Sequence, residues 1–266
     1  MKKNKVVIAA MFATALAVGA VGCDSSAKQA LSDKEITTKD ADKVKALNEL
    51  SKLALNNVGS AQGRLAQEYY DGVMVKRDDE KAKYWAESGY KLKDPLATIL
   101  LAKMNYYGES IPKDQKKAMA LLNEVKDKSP DAQYLLARMY LNDPSGDNLE
   151  KGQALLKDAA DNGQSAAQFD FARQLLTTSQ SIDVSVDAKA QKLKDDMAKK
   201  ATEYLAMAVT QGYAPATTYL ALCFYNGVGV NKSPKKAKDL MALAKDMGDK
   251  EAAVRLERDI FTFNME

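Results

Sequence analysis

From about Ala41 onward, apolar residues return every three or four positions, and the pattern holds to the end of the chain. Positions three and four apart share one face of a helix, so this spacing predicts consecutive amphipathic helices. No stretch shows the strict alternation of a half-buried strand. Five segments can be laid over one another: Ala61 to Ala66, Ala97 to Ala102, Ala132 to Ala137, Ala167 to Ala172 and Ala216 to Ala221. Their anchors, Leu65, Leu101, Leu136, Phe171 and Leu220, stand 36, 35, 35 and 49 residues apart. Each anchor has an alanine four positions before it and another directly after it. Small residues on that face admit a neighbouring helix at close range.

A second helix follows in each unit. Its landmarks are Lys81-Ala82, Lys117-Ala118, Lys151-Gly152, Lys200-Ala201 and Lys236-Ala237, followed three residues later by Trp85, Leu121, Leu155, Tyr204 and Leu240. Asp78, Asp114, Asn148 and Ser233 stand where an N-cap would accept the free N–H groups of the first turn. Pro234 suits a first helical position. Gly163, Gly212 and Gly248 stand where a helix ends in a left-handed turn. Lys45-Ala46 through Asn57 reads as a lone second helix stopped at Val58-Gly59, and Ala252 with Leu256 restarts the first-helix pattern, so both ends read as partial caps. The fourth unit is longer by roughly 13 residues, placed near 177–196, with a loop-like run from Thr177 to Asp187. Asp187 is positioned to cap a long helix running toward Gly212. The expected fold is all-α: a right-handed α-solenoid of about five stacked helical hairpins between partial caps, spanning 41–266.

The linkers inside the pairs make a resemblance specific. Tyr69-Tyr70-Asp71-Gly72-Val73, Tyr106-Tyr107-Gly108 and Phe224-Tyr225-Asn226-Gly227-Val228-Gly229-Val230 place aromatic residues before glycine. Leu-Ala-x-x-Tyr-x-x-Gly, then Val, Asp and Lys-Ala-x-x-Trp, resembles the Sel-one-like repeat, a cousin of the tetratricopeptide repeat. The third and fourth units depart from it, with Asn142-Asp143-Pro144 and Thr177-Thr178-Ser179 in place of the glycine turn.

The N-terminus carries a different pattern. Lys2, Lys3 and Lys5 precede an uncharged, mostly apolar run from Val6 to Val21. That run is about 16 residues long, whereas a membrane span needs roughly 20. Residues 1–22 therefore read as a cleaved export signal. Ala20-Val21-Gly22-Cys23 resembles a bacterial lipobox, which implies an acylated Cys23 as the first mature residue. By the same resemblance Asp24 hints at the inner membrane. Residues 23–40 are polar and without periodicity, and read as a flexible tether.

The whole chain holds 39 basic and 36 acidic residues. Removing a signal with three lysines and no acid leaves 36 of each, so nothing marks a nucleic-acid partner. Histidine is absent, which removes His-based acid–base catalysis and the commonest zinc sites. Once Cys23 is acylated, Cys223 is the one remaining thiol, and it reads as a core residue. No phosphate loop, nucleophile elbow or metal-ligand spacing is present in the sequence, and neither an enzymatic activity nor a cofactor is expected.

What remains is a binding surface. Two residues past each anchor stand Gln67, Lys103, Arg138, Arg173 and Leu222. Stacking would line up Lys103, Arg138 and Arg173 as a basic row suited to an acidic partner segment. Trp85, Tyr69, Tyr204 and Phe224 read as packing residues, whereas Tyr70, Tyr106 and Tyr225 fall one position past the core and are candidates to line a groove. The expected function is that of a lipid-anchored, periplasm-facing adaptor or scaffold of the bacterial envelope that binds another protein. The resemblance also implies an alternative, an immunity protein that neutralises a type VI secretion phospholipase effector by direct binding.

Overall fold

The computed structural model describes residues 31–32, 34–143, 145–185 and 187–261. The export signal and Cys23 lie outside the described residues. Twelve α-helices follow one another among those described, and the sole β-type pairing is an isolated bridge between Ile36 and Val75. A single helix, α1 (Ala41–Leu55), precedes five hairpins. These are α2 (Gly59–Asp71) with α3 (Asp79–Lys91), α4 (Pro95–Tyr107) with α5 (Gln115–Val125), α6 (Pro130–Asn142) with α7 (Asn148–Asp161), α8 (Ser165–Ser181) with α9 (Ala188–Thr210), and α10 (Ala214–Asn226) with α11 (Pro234–Asp246). A short α12 (Lys250–Glu257) closes the array. Each second helix packs on its own first helix and on the first helix of the next unit. The fold is the expected all-α repeat solenoid.

The aligned alanines carry this stacking. Ala66, Ala102, Ala137, Ala172 and Ala221 are all buried, as are Ala97, Ala132, Ala167 and Ala216. Close approach goes further in the first unit. A methyl group on Gly63 would overlap the Asp94 carboxylate, and one on Gly89 would stand 2.7 Å from the Ala97 Cβ. Gly152 replaces the landmark alanine because a Cβ there would meet the Leu141 side chain at 2.8 Å. Trp85, Leu121 and Tyr204 are buried as expected, whereas Leu155 and Leu240 are only half-buried. In those two units the next residue, Leu156 or Met241, fills the core.

The glycine turns close the hairpins in a repeated way. Gly72, Gly108 and Gly227 take φ values of +66°, +80° and +74°. This left-handed turn lets the next cap residue fold back onto the first helix. Asp78, Asp114 and Ser233 each donate a backbone N–H to a carbonyl of that helix: Tyr69 at 3.0 Å, Asn105 at 2.8 Å and Phe224 at 2.7 Å. The same three residues cap α3, α5 and α11 through their side chains. Asn148 does not cap α7 as its position suggested. It is already the first residue of that helix, and its amide nitrogen donates to the Asp143 carbonyl at 2.9 Å. The third linker has no glycine directly after α6; its glycine, Gly146, turns at φ +55° just before α7, and the cap residue is not brought back into register.

Three further regions differ from the sequence reading. The first-cap helix stops on Asn57, which takes φ +60°, while Gly59 already begins α2. In the fourth unit, Thr177 to Ser181 is helical rather than loop, so the insertion lengthens both helices of the hairpin. Ser179 is buried there, and its hydroxyl returns to the Leu176 carbonyl at 2.7 Å. Asp187 caps α9 through the Ala190 N–H at 2.8 Å, as its position indicated.

The third is the tether expected over 23–40, whose described part is docked rather than free. Leu31 is buried and donates its N–H to Ser51 Oγ at 3.0 Å. Thr37 donates to the Met74 carbonyl at 2.9 Å and Lys76 to the Glu35 carbonyl at 2.6 Å. Glu35 pairs with Lys81 and accepts from the Ser32 hydroxyl at 2.7 Å and the Tyr69 hydroxyl at 3.3 Å. An extended segment anchored by two apolar residues, Leu31 and Ile36, has no helical period to betray it.

Candidate functional site

Successive first helices meet along one side of the array, each contact pairing a residue with one a single position further along in the next unit. The Asn142 amide of α6 donates to the Tyr106 hydroxyl of α4 at 3.1 Å. The Tyr134 hydroxyl of α6 donates to Asp170 of α8 at 2.7 Å. Phe169 of α8 meets the Tyr219 ring of α10 edge-on, with centroids 5.0 Å apart. These three contacts trace a polar and aromatic strip from the second hairpin to the fifth.

The basic row divides on this strip. Lys103 and Arg138 line one recess between α4 and α6, together with Tyr106, Tyr107, Leu135 and Met139. Arg173 lies in the next gap, with its guanidinium 5.6 Å from the Phe169 centroid, 5.7 Å from that of Tyr219 and 3.9 Å from Asp170. Arg138 leans over the Tyr134 ring at 5.8 Å. Neither Lys103 nor Arg138 forms an ion pair among the described residues. At the ends the row is not basic. Gln67 donates to Asp71 at 2.8 Å, and Leu222 is buried in the core against the C-terminal segment.

The three candidate tyrosines have separate fates. Tyr106 faces the recess, held by Asn142 and edge-on to Tyr107 at 5.0 Å. Tyr70 is half-buried beneath the Arg77 guanidinium, 5.3 Å from its ring centroid. Burial, and then a hydrogen bond to Glu109, pushes its phenol well above the ordinary range. Tyr225 does not line a groove: it stacks on Phe261 with centroids 4.9 Å apart and planes at 19°. In the fifth hairpin the first-helix aromatic is covered by the segment that follows α12.

Sequence reasoning did not single out Tyr107, which is 53 % exposed, nor Asn142, Tyr134 and Asp170. The doubled aromatic Tyr106-Tyr107 and the 36-residue separation of Tyr134 from Asp170 were the available signals.

The lengthened fourth hairpin makes a second surface. A methyl group on Gly229 would overlap the Ala198 carbonyl, so α9 rests directly on the fifth linker. A polar groove of about 1000 Å³ follows, edged by Asp195, Lys199, Lys232, Lys235 and Lys236.

Cys223 is buried, and burial pushes its thiol up to about 12, which removes thiolate chemistry at neutral pH. Among the described residues no cluster of Cys, Asp and Glu could hold a metal ion, and no helix is long and apolar enough to cross a membrane.

A family model described as the Sel1 repeat matches residues 59–94, 95–124, 130–164 and 214–249, which together make over half of the chain. These intervals follow hairpins one, two, three and five; the lengthened fourth falls outside them. A search among curated proteins found no match. Among solved structures, a Sel1 repeat protein from Oxalobacter formigenes is 21 % identical with a TM-score of 0.60, over 78 % of this chain and 80 % of that one. The immunity protein Pa5087 from Pseudomonas aeruginosa is 20 % identical with a TM-score of 0.50, over 81 % and 77 %. Pseudomonas aeruginosa 5086 is 21 % identical with a TM-score of 0.50, over 85 % and 82 %. At these identities the likeness is one of fold.

Proposed function

Because the chain belongs to the Sel1 repeat family, we propose that it is a protein-binding module, a lipid-anchored adaptor or scaffold facing the periplasm, and not an enzyme. The carrying observation is the first-helix face. Lys103 and Arg138 flank an apolar recess there without carboxylate partners, beside the exposed Tyr107. A free cation pair attracts an acidic partner, and a half-exposed aromatic gives contact area at low entropic cost. The solenoid supplies the length of surface that a protein partner requires. The anchor and the compartment rest on the sequence: the basic start, the apolar run and the lipobox-like Ala20-Val21-Gly22-Cys23. Asp24 favours the inner membrane on the same grounds.

The test is a crosslinked pull-down from the bacterial envelope. Wild-type protein should capture a partner that the triple variant Lys103→Glu, Arg138→Glu, Arg173→Glu captures at least tenfold less. Equal capture by both would remove this face from the mechanism. For the anchor, Cys23→Ser should release the protein from membranes. Unchanged sedimentation with membranes would end that part of the reading.

A second reading makes the partner a toxin, with the protein as an immunity factor against a type VI secretion phospholipase effector. One observation supports it: a solved immunity protein shares this fold. If the purified protein leaves every lipase encoded beside its gene fully active, this reading fails while the adaptor reading stands.

A further inference from the structure

We propose that the recess between α4 and α6 seats one aliphatic side chain of a partner segment whose neighbouring residues are acidic; this rests on the protein-binding reading and specifies its chemistry. The floor is apolar, built by Ala102, Leu122 and Leu135, with Met139 at the side. Ala102 and Leu122 belong to the packed core, so the floor does not yield. The recess is small, with about 30 Å³ open to the centre of a water-sized group, which admits the branched end of a leucine or valine more readily than a flat indole ring. Filling it takes the apolar floor from water without stripping an unpaired polar group, because the Tyr106 hydroxyl already accepts from Asn142.

The rim sets the charge. Lys103 and Arg138 stand on the two helices that wall the recess and form no ion pair among the described residues. Arg138 leans over the Tyr134 ring at 5.8 Å, a contact that favours the rotamer facing the strip. A bare polyanion would satisfy the rim and leave the floor wet. A purely apolar segment would fill the floor and leave both cations unmatched. The combination of one aliphatic residue with flanking Asp or Glu satisfies both.

The experiment uses the purified protein and four fluorescent peptides. The first is Glu-Ser-Asp-Leu-Asp-Ser-Glu; in the second and third Ser or Trp replaces the leucine; in the fourth Lys replaces every acid. Methionine methyl groups labelled with 13C report position: Met139 lines the recess, while Met241 is buried in α11 and serves as the control. The acidic leucine peptide should bind at least tenfold tighter than each of the other three and should shift the Met139 methyl but not that of Met241. Equal binding of the serine peptide would reduce the site to a charge effect and overturn the proposal. So would tighter binding of the tryptophan peptide, an unmoved Met139 methyl, or no binding of the leucine peptide. Met139→Trp should abolish the preference for leucine. If that variant loses its helical circular dichroism, the rim pair Lys103→Ala and Arg138→Ala replaces it, and should cost the acidic leucine peptide tenfold. Envelope capture separates the two levels. A partner held equally well by wild type and by a folded recess variant overturns the recess and leaves the protein-binding reading intact. Loss of both peptide binding and envelope capture in wild type overturns both.

Discussion

At the scale of single residues, charge and space decide where the chain tolerates change. Glu35 ties the N-terminal segment to the first hairpin. Burial raises its pKa, but hydrogen bonds from Lys81 and from the Ser32 side chain and backbone outweigh it and hold the carboxyl at about 2 instead of 4.5. A depressed folded-state pKa means stabilisation that is complete above about 4.5 and lost as pH falls toward 2. The Lys76 amide, which donates to the Glu35 carbonyl, should therefore keep its NMR shift from neutral pH down to about 4.5 and move toward a disordered value below. Glu35→Gln should give the displaced shift at every pH; a pH-independent wild-type shift would contradict this account. Gly63 illustrates space instead. An added methyl would push on the Asp94 carboxylate that caps α4 through the Ala97 N–H at 2.8 Å. Gly63→Ala removes a helix-interior glycine and still should destabilise by about 1–3 kcal/mol in urea unfolding, since overpacking beside a cap outweighs the propensity gain.

At the scale of elements, the same stop occurs with different residues. Gly163, Gly212 and Gly248 end their second helices in the left-handed region, with φ between +77° and +91°. The first hairpin reaches that conformation with Lys93 at φ +60°, where a side chain crowds its own backbone. Lys93→Gly should raise stability by up to about 1 kcal/mol, the strain relieved less the entropy that glycine adds to the unfolded chain. A lower melting temperature would show that the Lys93 side chain makes a contact worth more than its strain. Caps with strong sidedness, Asp78, Asp114, Asp187 and Ser233, were readable from position alone. Asn148 was not, because its linker places its glycine, Gly146, just before α7 and not directly after α6.

At the scale of the whole molecule, each hairpin leans on its neighbours, so the ends carry particular weight. The segment after α12 covers the fifth hairpin. Phe261 is 2 % exposed, stacks on Tyr225, and its carbonyl accepts from the Asn226 amide at 3.0 Å. Phe261→Ala should cost about 3 kcal/mol, with hydrogen exchange accelerating first in α10 to α12. Uniform acceleration through all hairpins would indicate a single cooperative unit instead. On the other side of the array Leu31 docks on α1, and Glu35, Thr37 and Thr38 bind the first hairpin.

The all-α repeat was determined by the sequence, because helical periodicity, aligned alanines and recurring stops are local signals that repeat five times. The tertiary structure decided what depends on distant partners. It docked Leu31 and Glu35 to Thr38, which have no period of their own, and it continued α8 through Thr177 to Ser181 with Ser179 buried. It also sorted the candidate site. A shared helical offset placed Lys103, Arg138 and Arg173 on one face, but only the gaps between helices put the first two around a recess with Tyr106 and sent Arg173 to the aromatic cluster beside it. Tyr225 left the row for the same reason. Its ring partner is Phe261, which follows α12 outside the repeat pattern, so no repeat position encodes that contact.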